Sequence, residues 1–339
     1  MEPAHATIVQ LPATEGTAIT PLATEAARPL LSVMLPVYEP NEFLLEALRS
    51  VLSQDLGPEN MQIAIVDDAS TRDIQALVAQ VAPPGRVDIY RSAVNQGLAG
   101  NWNQCIRVAR GHVVHILHQD DWVAEGFYAN LLPVFSKHPR IGMAFCRYAI
   151  AESKERTVRY SHRERLRAGV LKNWLERIAE RQRVQCASVL VRRDVYETLG
   201  GYRTDLCYAL DWEMWVRIAV QRDVWYEPRK MAFYRRHEES ETRRLSDDNK
   251  TARDVVEAIK IFAGYLPPEN RQRLLSLACT SFAQRTLKQL SSKVPDSRQS
   301  IVDLLQPVRE VLELAAIRPA LAKRFAKSID QLERQWRRI

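Results

Sequence analysis

Short apolar runs alternating with amphipathic stretches from Leu30 to Ala149 constrain this chain more than any other feature. Leu31–Val37 (LSVMLPV) reads as a strand. Glu42–Ser53 then places Phe43, Leu44, Ala47, Leu48, Val51 and Leu52 at helical spacing. Met61–Val66, Val87–Arg91, His112–Leu117 and Ile141–Ala149 read as further strands. Between them lie helical patterns near Asp73–Val81, Leu98–Ala109 and Glu125–Phe135. Strand and helix alternating at this spacing predict an α/β domain with a mainly parallel, Rossmann-like sheet. In such sheets ligands bind beyond the carboxyl ends of the strands, so the polar residues there are the ones that matter.

The ends of the chain read differently. Residues 1–28, rich in Ala, Thr and Pro without apolar period, are expected to be a flexible leader. The α/β domain is expected over 29–245 and a C-terminal helical region over 246–339. Breaks at Pro267-Pro268, Pro295 and Pro319 suggest three or four helices there. No stretch is apolar enough for a membrane-spanning helix. Glu2 and Glu15, with no basic residue before Arg28, read against a secretory signal. The five cysteines are far apart without CxxC spacing, which argues against thiolate metal sites and disulfides and fits a reducing cytoplasm.

The strand ends are rich in carboxylates. The first run closes on Pro36-Val37-Tyr38-Glu39, the second on Asp67-Asp68-Ala69-Ser70, and the third leads to Asn95-Gln96-Gly97. The fourth closes on His118-Gln119-Asp120-Asp121-Trp122. Taken singly, Asp67-Asp68 and Asp120-Asp121 could cap the helices that follow, since Asp is a favoured N-cap. Delivered by two strands to one edge, they call for a cation or hydrogen-bond donors to offset their mutual repulsion. Hard oxygen ligands favour Mg²⁺ or Mn²⁺, ions that commonly bridge substrate phosphates. The chain has no GxxxxGK[ST], no GxGxxG after the first strand, no GxSxG and no HExxH. A phosphate bound here is therefore held by metal and side chains.

A second cluster lies downstream. Cys186–Val191 reads as a buried strand, Arg193–Leu199 as a helix and Gly200-Gly201-Tyr202 as a turn. Leu210–Ala219 reads as a short amphipathic helix with Asp211 at its start, beside Tyr208 and Trp212. Such a carboxylate is either a cap or a general base in a pocket dry enough to raise its pKa.

Together these residues carry a resemblance to the inverting family 2 glycosyltransferases of GT-A fold, running from about Leu30 to Thr242. Its marks are Leu35–Glu39, Val66–Ser70, Asn95–Leu98, Leu117–Trp122, Leu210–Glu213 with Arg217, and Tyr234–His237. The resemblance implies a hexosyltransferase-like enzyme moving a sugar from a nucleoside-diphosphate donor (UDP, GDP or dTDP) to a hydroxyl of a saccharide or lipid-linked acceptor. It implies that Pro36, Val37, Tyr38 and Glu39 border the nucleobase, that Asp68 accepts from the base ring and that Asn95 lines the nucleoside. Asp120 would bind the metal, Mg²⁺ or Mn²⁺, with Asp121 supporting it or touching ribose or sugar, and His237 facing metal or diphosphate. Asp211 would be the catalytic base, and Trp212 the best candidate to stack on the acceptor. Three positions depart from the family pattern: His118 for a first Asp, Leu210 for an acidic residue before the base, and Trp102 for an Arg.

Charge suggests the setting. The 48 basic and 41 acidic residues leave +7, of which +5 lies in 317–339, while many other arginines fall between Glu152 and Arg183. The latter could hold an acceptor phosphate or form a solvated face. Leu321, Phe325, Ile329, Leu332 and Trp336 make an amphipathic basic helix that either docks on anionic lipid or packs on the body. Cell-surface polysaccharide or lipopolysaccharide synthesis in the cytoplasm, peripheral to the inner membrane face, fits these features. The alternatives are a non-catalytic sugar-nucleotide-binding scaffold of the same fold, and a nucleic-acid binder resting on net charge alone. The latter lacks a basic stripe with interleaved aromatics. His112 and His115 are expected to be structural and His162 to lie at the surface.

Overall fold

The computed structural model describes residues 8–11, 16–23, 27–154, 156–237, 250–291, 298–315 and 319–336. The chain forms two compact units. The first comprises 1–172, 183–205 and 221–237, and the second 173–182, 206–220 and 238–339. The helical unit thus recruits two segments from inside the stretch expected to be wholly α/β. The boundary expected at 245, Pro295, and the tail residues Arg318, Arg337 and Arg338 lie outside the described residues.

The first unit alternates as the apolar pattern requires: β1 (Ile8–Leu11), β2 (Leu31–Val37), α1 (Phe43–Leu52), β3 (Met61–Asp67), α2 (Ile74–Val78), β4 (Asp88–Ser92), α3 (Gly97–Val108), β5 (Val113–Ile116). It continues with β6 (Trp122–Val123), α4 (Phe127–Lys137), β7 (Ile141–Ala151), β8 (Thr157–Tyr160) and β9 (Gly169–Val170). After α5 (Trp174–Glu180), which belongs to the second unit, come β10 (Val189–Arg192) and α6 (Arg193–Leu199). Helix α7 (Leu210–Gln221) leads into the long β11 (Asp223–Arg235). Cys186–Ser188, expected to be strand, is a 3₁₀ turn entering β10.

One mixed sheet joins these strands in the order β1-β4-β3-β2-β5-β10-β7-β11-β6, with β8 on β7 and β9 on β11. Strands β4, β3, β2 and β5 are mutually parallel, and so are β7 and β11. The intervening β10 runs antiparallel to both β5 and β7, so the carboxyl ends of all six open at one edge. Both faces are covered: every residue of β2 and β3 is buried, and the core joins Val33, Leu35, Ile63 and Ile65 to Leu44, Leu48, Phe127 and Leu131 of the flanking helices. His115 sits in this core between Tyr128 Oη (3.1 Å) and the Ala187 carbonyl (3.2 Å), and burial pushes its pKa down to about 3. It is structural, as expected.

Ile8–Leu11, inside the expected flexible leader, is instead strand β1, paired in parallel with β4. Further along that stretch Ile19 is buried and the Thr17 carbonyl accepts the Gly201 N–H at 2.6 Å.

In the second unit, α8 (Lys250–Ala263), α9 (Pro268–Leu290), α10 (Arg298–Leu314) and α11 (Pro319–Trp336) supply four helices among the described residues. Pro268 and Pro319 open their helices, where a missing N–H costs nothing. Phe325, Ile329, Leu332 and Trp336 are all buried. The apolar stripe of the last helix therefore packs on protein and is not a free lipid-facing surface.

Candidate functional site

The parallel sheet edge of the first unit carries most of the residues singled out above. β5 is followed by a turn from His118 to Asp121 in which Asp121 N–H donates to the His118 carbonyl at 3.2 Å. His118, Asp120 and Asp121 each offer one ligand atom, and these atoms lie within 4.8 Å of one another. His237, two residues past β11, places Nε2 2.9 Å from Asp120 Oδ2. Burial lowers the His118 pKa and keeps its ring neutral, the form that ligates metal. Burial, reinforced by the charge of Asp120, pushes Asp121 well above the usual carboxylate range. His118 Nε2 is buried without a hydrogen-bond partner among the described residues. An imidazole beside two carboxylates, its Nδ1 3.8 Å from Asp121 Oδ2, is a donor set that suits a divalent cation.

Two of the residues that depart from the family pattern are in contact. His118 stacks on Trp102 with ring centroids 4.7 Å apart, and Trp102 meets Tyr202 edge-on at 4.9 Å. The two rings, an imidazole and an indole, meet by stacking.

Arg235, the last residue of β11, organises this edge. It is 2% exposed. Its backbone N–H donates to Asp121 Oδ1 (2.8 Å), its Nε to the Asp120 carbonyl (2.9 Å) and its Nη2 to Glu46 Oε2 (2.8 Å). The guanidinium lies between the rings of Phe43 (4.1 Å) and Trp122 (4.5 Å). The sequence reading placed Arg235 inside a motif and gave it no role. The available signal was an arginine following the uncharged stretch Met231–Tyr234 at the end of a strand.

Neighbouring strand ends add the remaining groups. Pro36 and Val37 are buried within β2, whereas Tyr38 is largely exposed. Glu39 adopts φ +42°, its N–H donates to Ser70 Oγ (2.9 Å), and its carboxylate accepts the Thr71 N–H at 2.7 Å. Asp68 is buried and accepts the backbone N–H groups of Gln96 (2.8 Å) and Gly97 (3.0 Å). Its first task is thus to fix the turn into α3, and burial raises its pKa. Asn95, exposed, turns Oδ1 to the Gly97 N–H (2.9 Å). Gly97 stands at φ +71°, where a side chain would be strained.

The second unit holds Asp211 in the first turn of α7. Burial raises its pKa to about 7, against the opposing pull of the Trp212 N–H and the Gln182 side chain. Asp254 of α8 accepts the backbone N–H groups of Cys207 (3.0 Å), Tyr208 (2.7 Å) and Ala209 (2.7 Å), satisfying donors at the start of α7 from outside the helix. Glu213 is buried and pairs with Arg217 (2.8 Å) and Tyr265 Oη (2.6 Å). Trp212 is not available as a sugar platform. It is 2% exposed, donates Nε1 to the Ile178 carbonyl at 2.6 Å and packs edge-on against Phe262 at 5.2 Å. Asp254→Ala is expected to lower stability by about 2 kcal/mol, because three N–H groups lose their acceptor. Urea unfolding would show this as a lower midpoint at unchanged slope, with Asp254→Asn intermediate.

A mixed, mainly parallel sheet with a His-x-Asp-Asp turn at its carboxyl edge and a helical extension is the GT-A architecture. The family described as Glycosyl transferase family 2 matches residues 32–200, and the chain belongs to it: the protein is a glycosyltransferase. An uncharacterized protein of Mycobacterium tuberculosis, MT1568, is 28% identical over 341 residues, covering 94% of this chain and 98% of its own. The minor teichoic acid biosynthesis protein GgaB of Bacillus subtilis is 31% identical over 109 residues, or 32% of this chain and 12% of GgaB. The crystal structure of S. aureus TarS 1–349 in complex with UDP-GlcNAc is similar over 91% of both chains, with TM-score 0.68 and 18% identity.

Proposed function

We propose that this glycosyltransferase is metal-dependent and inverting, moving a sugar from a nucleoside-diphosphate donor to a hydroxyl acceptor in cell-surface polysaccharide synthesis on the cytoplasmic side. The observation that carries the reading is the gathering of His118, Asp120, Asp121 and His237 at the carboxyl edge of one sheet. Asp120 with His118 would hold Mg²⁺ or Mn²⁺, and Asp121 would steady the turn through Arg235. When bound, such an ion offsets the charge that develops on a departing diphosphate. Tyr38, Glu39, Asp68 and Asn95 would border the nucleoside, with Asn95 Nδ2 and the second lone pairs of Asp68 left to meet a base or ribose. Asp211 would take the proton of the acceptor hydroxyl as its oxygen approaches the anomeric carbon. A carboxylate with pKa near 7 is matched to that task at neutral pH. Direct displacement inverts the configuration and needs no covalent sugar–enzyme intermediate. The UDP-GlcNAc in the TarS complex and the teichoic acid role in GgaB's name favour UDP-sugars and a phosphate-rich surface polymer as the first choices.

The test is nucleoside diphosphate release from a panel of UDP-, GDP- and dTDP-sugars with Mn²⁺, alongside calorimetry with each donor. Metal-dependent release from one donor is the expected outcome. Absence of both release and binding across the panel would overturn the donor-site assignment.

A further inference from the structure

We infer that residues 156–168 form a docking surface for an anionic lipid bilayer. The segment leaves the sheet at the end of β7, turns back as β8 and runs on towards β9. No described strand pairs with the outer edge of β8, and Val158, Arg159 and Tyr160 are all exposed, on both faces. A strand serving only to complete the fold would bury one face.

Two kinds of side chain are concentrated here. Arg156, Arg159, Arg163, Arg165 and Arg167 are all exposed. The acid among them, Glu164, is turned inward to Arg183 at 3.2 Å and does not offset them at the surface. Arg156 pairs with Glu152 (2.9 Å) and Arg165 donates to the Val170 carbonyl (3.0 Å), whereas Arg159, Arg163 and Arg167 make no ion pair with a described residue. Lys230 adds a further cation, 4.0 Å over the Tyr160 ring.

Between the cations stand Val158 (44% exposed), Tyr160 (48%) and Leu166 (78%), the last being the most exposed large apolar side chain among the described residues. A hydrated polyanion would account for the arginines but gives an exposed leucine nothing. An anionic membrane surface accounts for both, since headgroup phosphates meet the guanidinium groups while Leu166, Val158 and the Tyr160 ring enter the interfacial layer. The segment also departs from the sheet edge that carries the metal-binding turn, because Ala151 at the end of β7 pairs with Arg235. An acceptor presented at a membrane would meet the protein at that edge.

The inference needs neither donor nor metal, so its failure leaves the transferase reading untouched. The full-length chain would be sedimented with vesicles of phosphatidylcholine alone and of phosphatidylcholine with about one-third phosphatidylglycerol, at about 0.1 M salt. Binding to the anionic vesicles only is expected. Arg159→Gln/Arg163→Gln/Arg167→Gln should lower the partition coefficient about 100-fold, and Leu166→Ser about tenfold. Lys323→Gln/Arg324→Gln/Lys327→Gln, on the exposed side of α11, should leave it within about twofold. Circular dichroism and thermal melting confirm that each variant is folded. Three results would overturn the inference: no association with anionic vesicles, equal association of the arginine variant, or arginine-dependent binding of inorganic polyphosphate without binding of vesicles.

Discussion

Asp120→Ala is expected to abolish Mn²⁺ binding and to cut turnover about 1,000-fold, the scale on which a preorganised electrostatic partner of a developing charge acts. The side chain is 21% exposed, and its polar partner in the structure is His237 Nε2. The turn around it does not depend on that carboxylate. The Asp120 carbonyl is held by Arg235 Nε and the Asp121 carboxylate by the Arg235 N–H, and the substitution leaves both in place. Melting without metal should therefore change little, or rise slightly as Asp121 loses a like charge. His237→Gln keeps a hydrogen-bond partner for Asp120 but removes the imidazole, and should cost about 10- to 100-fold in metal affinity. Paramagnetic titration of Mn²⁺ reads both variants directly. Undiminished Mn²⁺ binding by Asp120→Ala would remove the turn from the metal site.

Most of the α/β framework was legible because it rests on periods that burial enforces. A fully buried strand such as Leu31–Val37 can hardly be written in other residue types, and α1 shows its apolar stripe in full. Strand β1 was not legible. Four residues at a sheet edge, embedded in Ala, Thr and Pro, acquire their structure from parallel pairing with β4, about eighty positions away. That His118, Asp120 and Asp121 gather at one edge was legible for a topological reason: parallel strands end on one side, so polar residues after them share a neighbourhood.

Roles that depend on a distant partner were not. Asp254 lies some forty residues from Asp211, and nothing in its local sequence announces that it will receive three N–H groups ahead of α7. Arg235 sat inside a recognisable motif, but its work is done through aromatic faces of α1 and β6 and through the Asp120–Asp121 turn. Trp212 was misjudged because adjacency in sequence is not adjacency on a helix. One step from Asp211 turns the side chain about 100°, which carries the indole to Phe262. The last helix teaches a related lesson: an apolar stripe proves that a partner exists, and burial of Phe325, Ile329, Leu332 and Trp336 shows that protein supplies it.

Asp211→Asn should act in opposite directions on activity and stability. As a general base the carboxylate must be ionised. Turnover of the parent enzyme should rise tenfold per pH unit below about 7 and level off above it, following a pKa that burial has raised from 3.8. The amide cannot accept the proton, so the variant should lose about 100- to 10,000-fold in kcat and lose that limb of the profile. The stability argument follows from the same shift. Because the folded-state pKa is raised, the native protein binds this proton more tightly than the unfolded chain does. Stability therefore falls as pH rises from about 4 to about 7, and the cost is fully present above that window. A shift of three units corresponds to about 4 kcal/mol at most, and partial exposure of Asp211 reduces the expected cost to about 1–2 kcal/mol. The uncharged amide avoids that cost. Asp211→Asn should melt a few degrees above the parent at pH 8, and at the same temperature as the parent near pH 4, where the parent carboxyl is already neutral. Differential scanning calorimetry at the two pH values decides it. Equal melting at pH 8 would show that the carboxylate is well solvated, and with it would go the reason for placing its working pKa near neutrality.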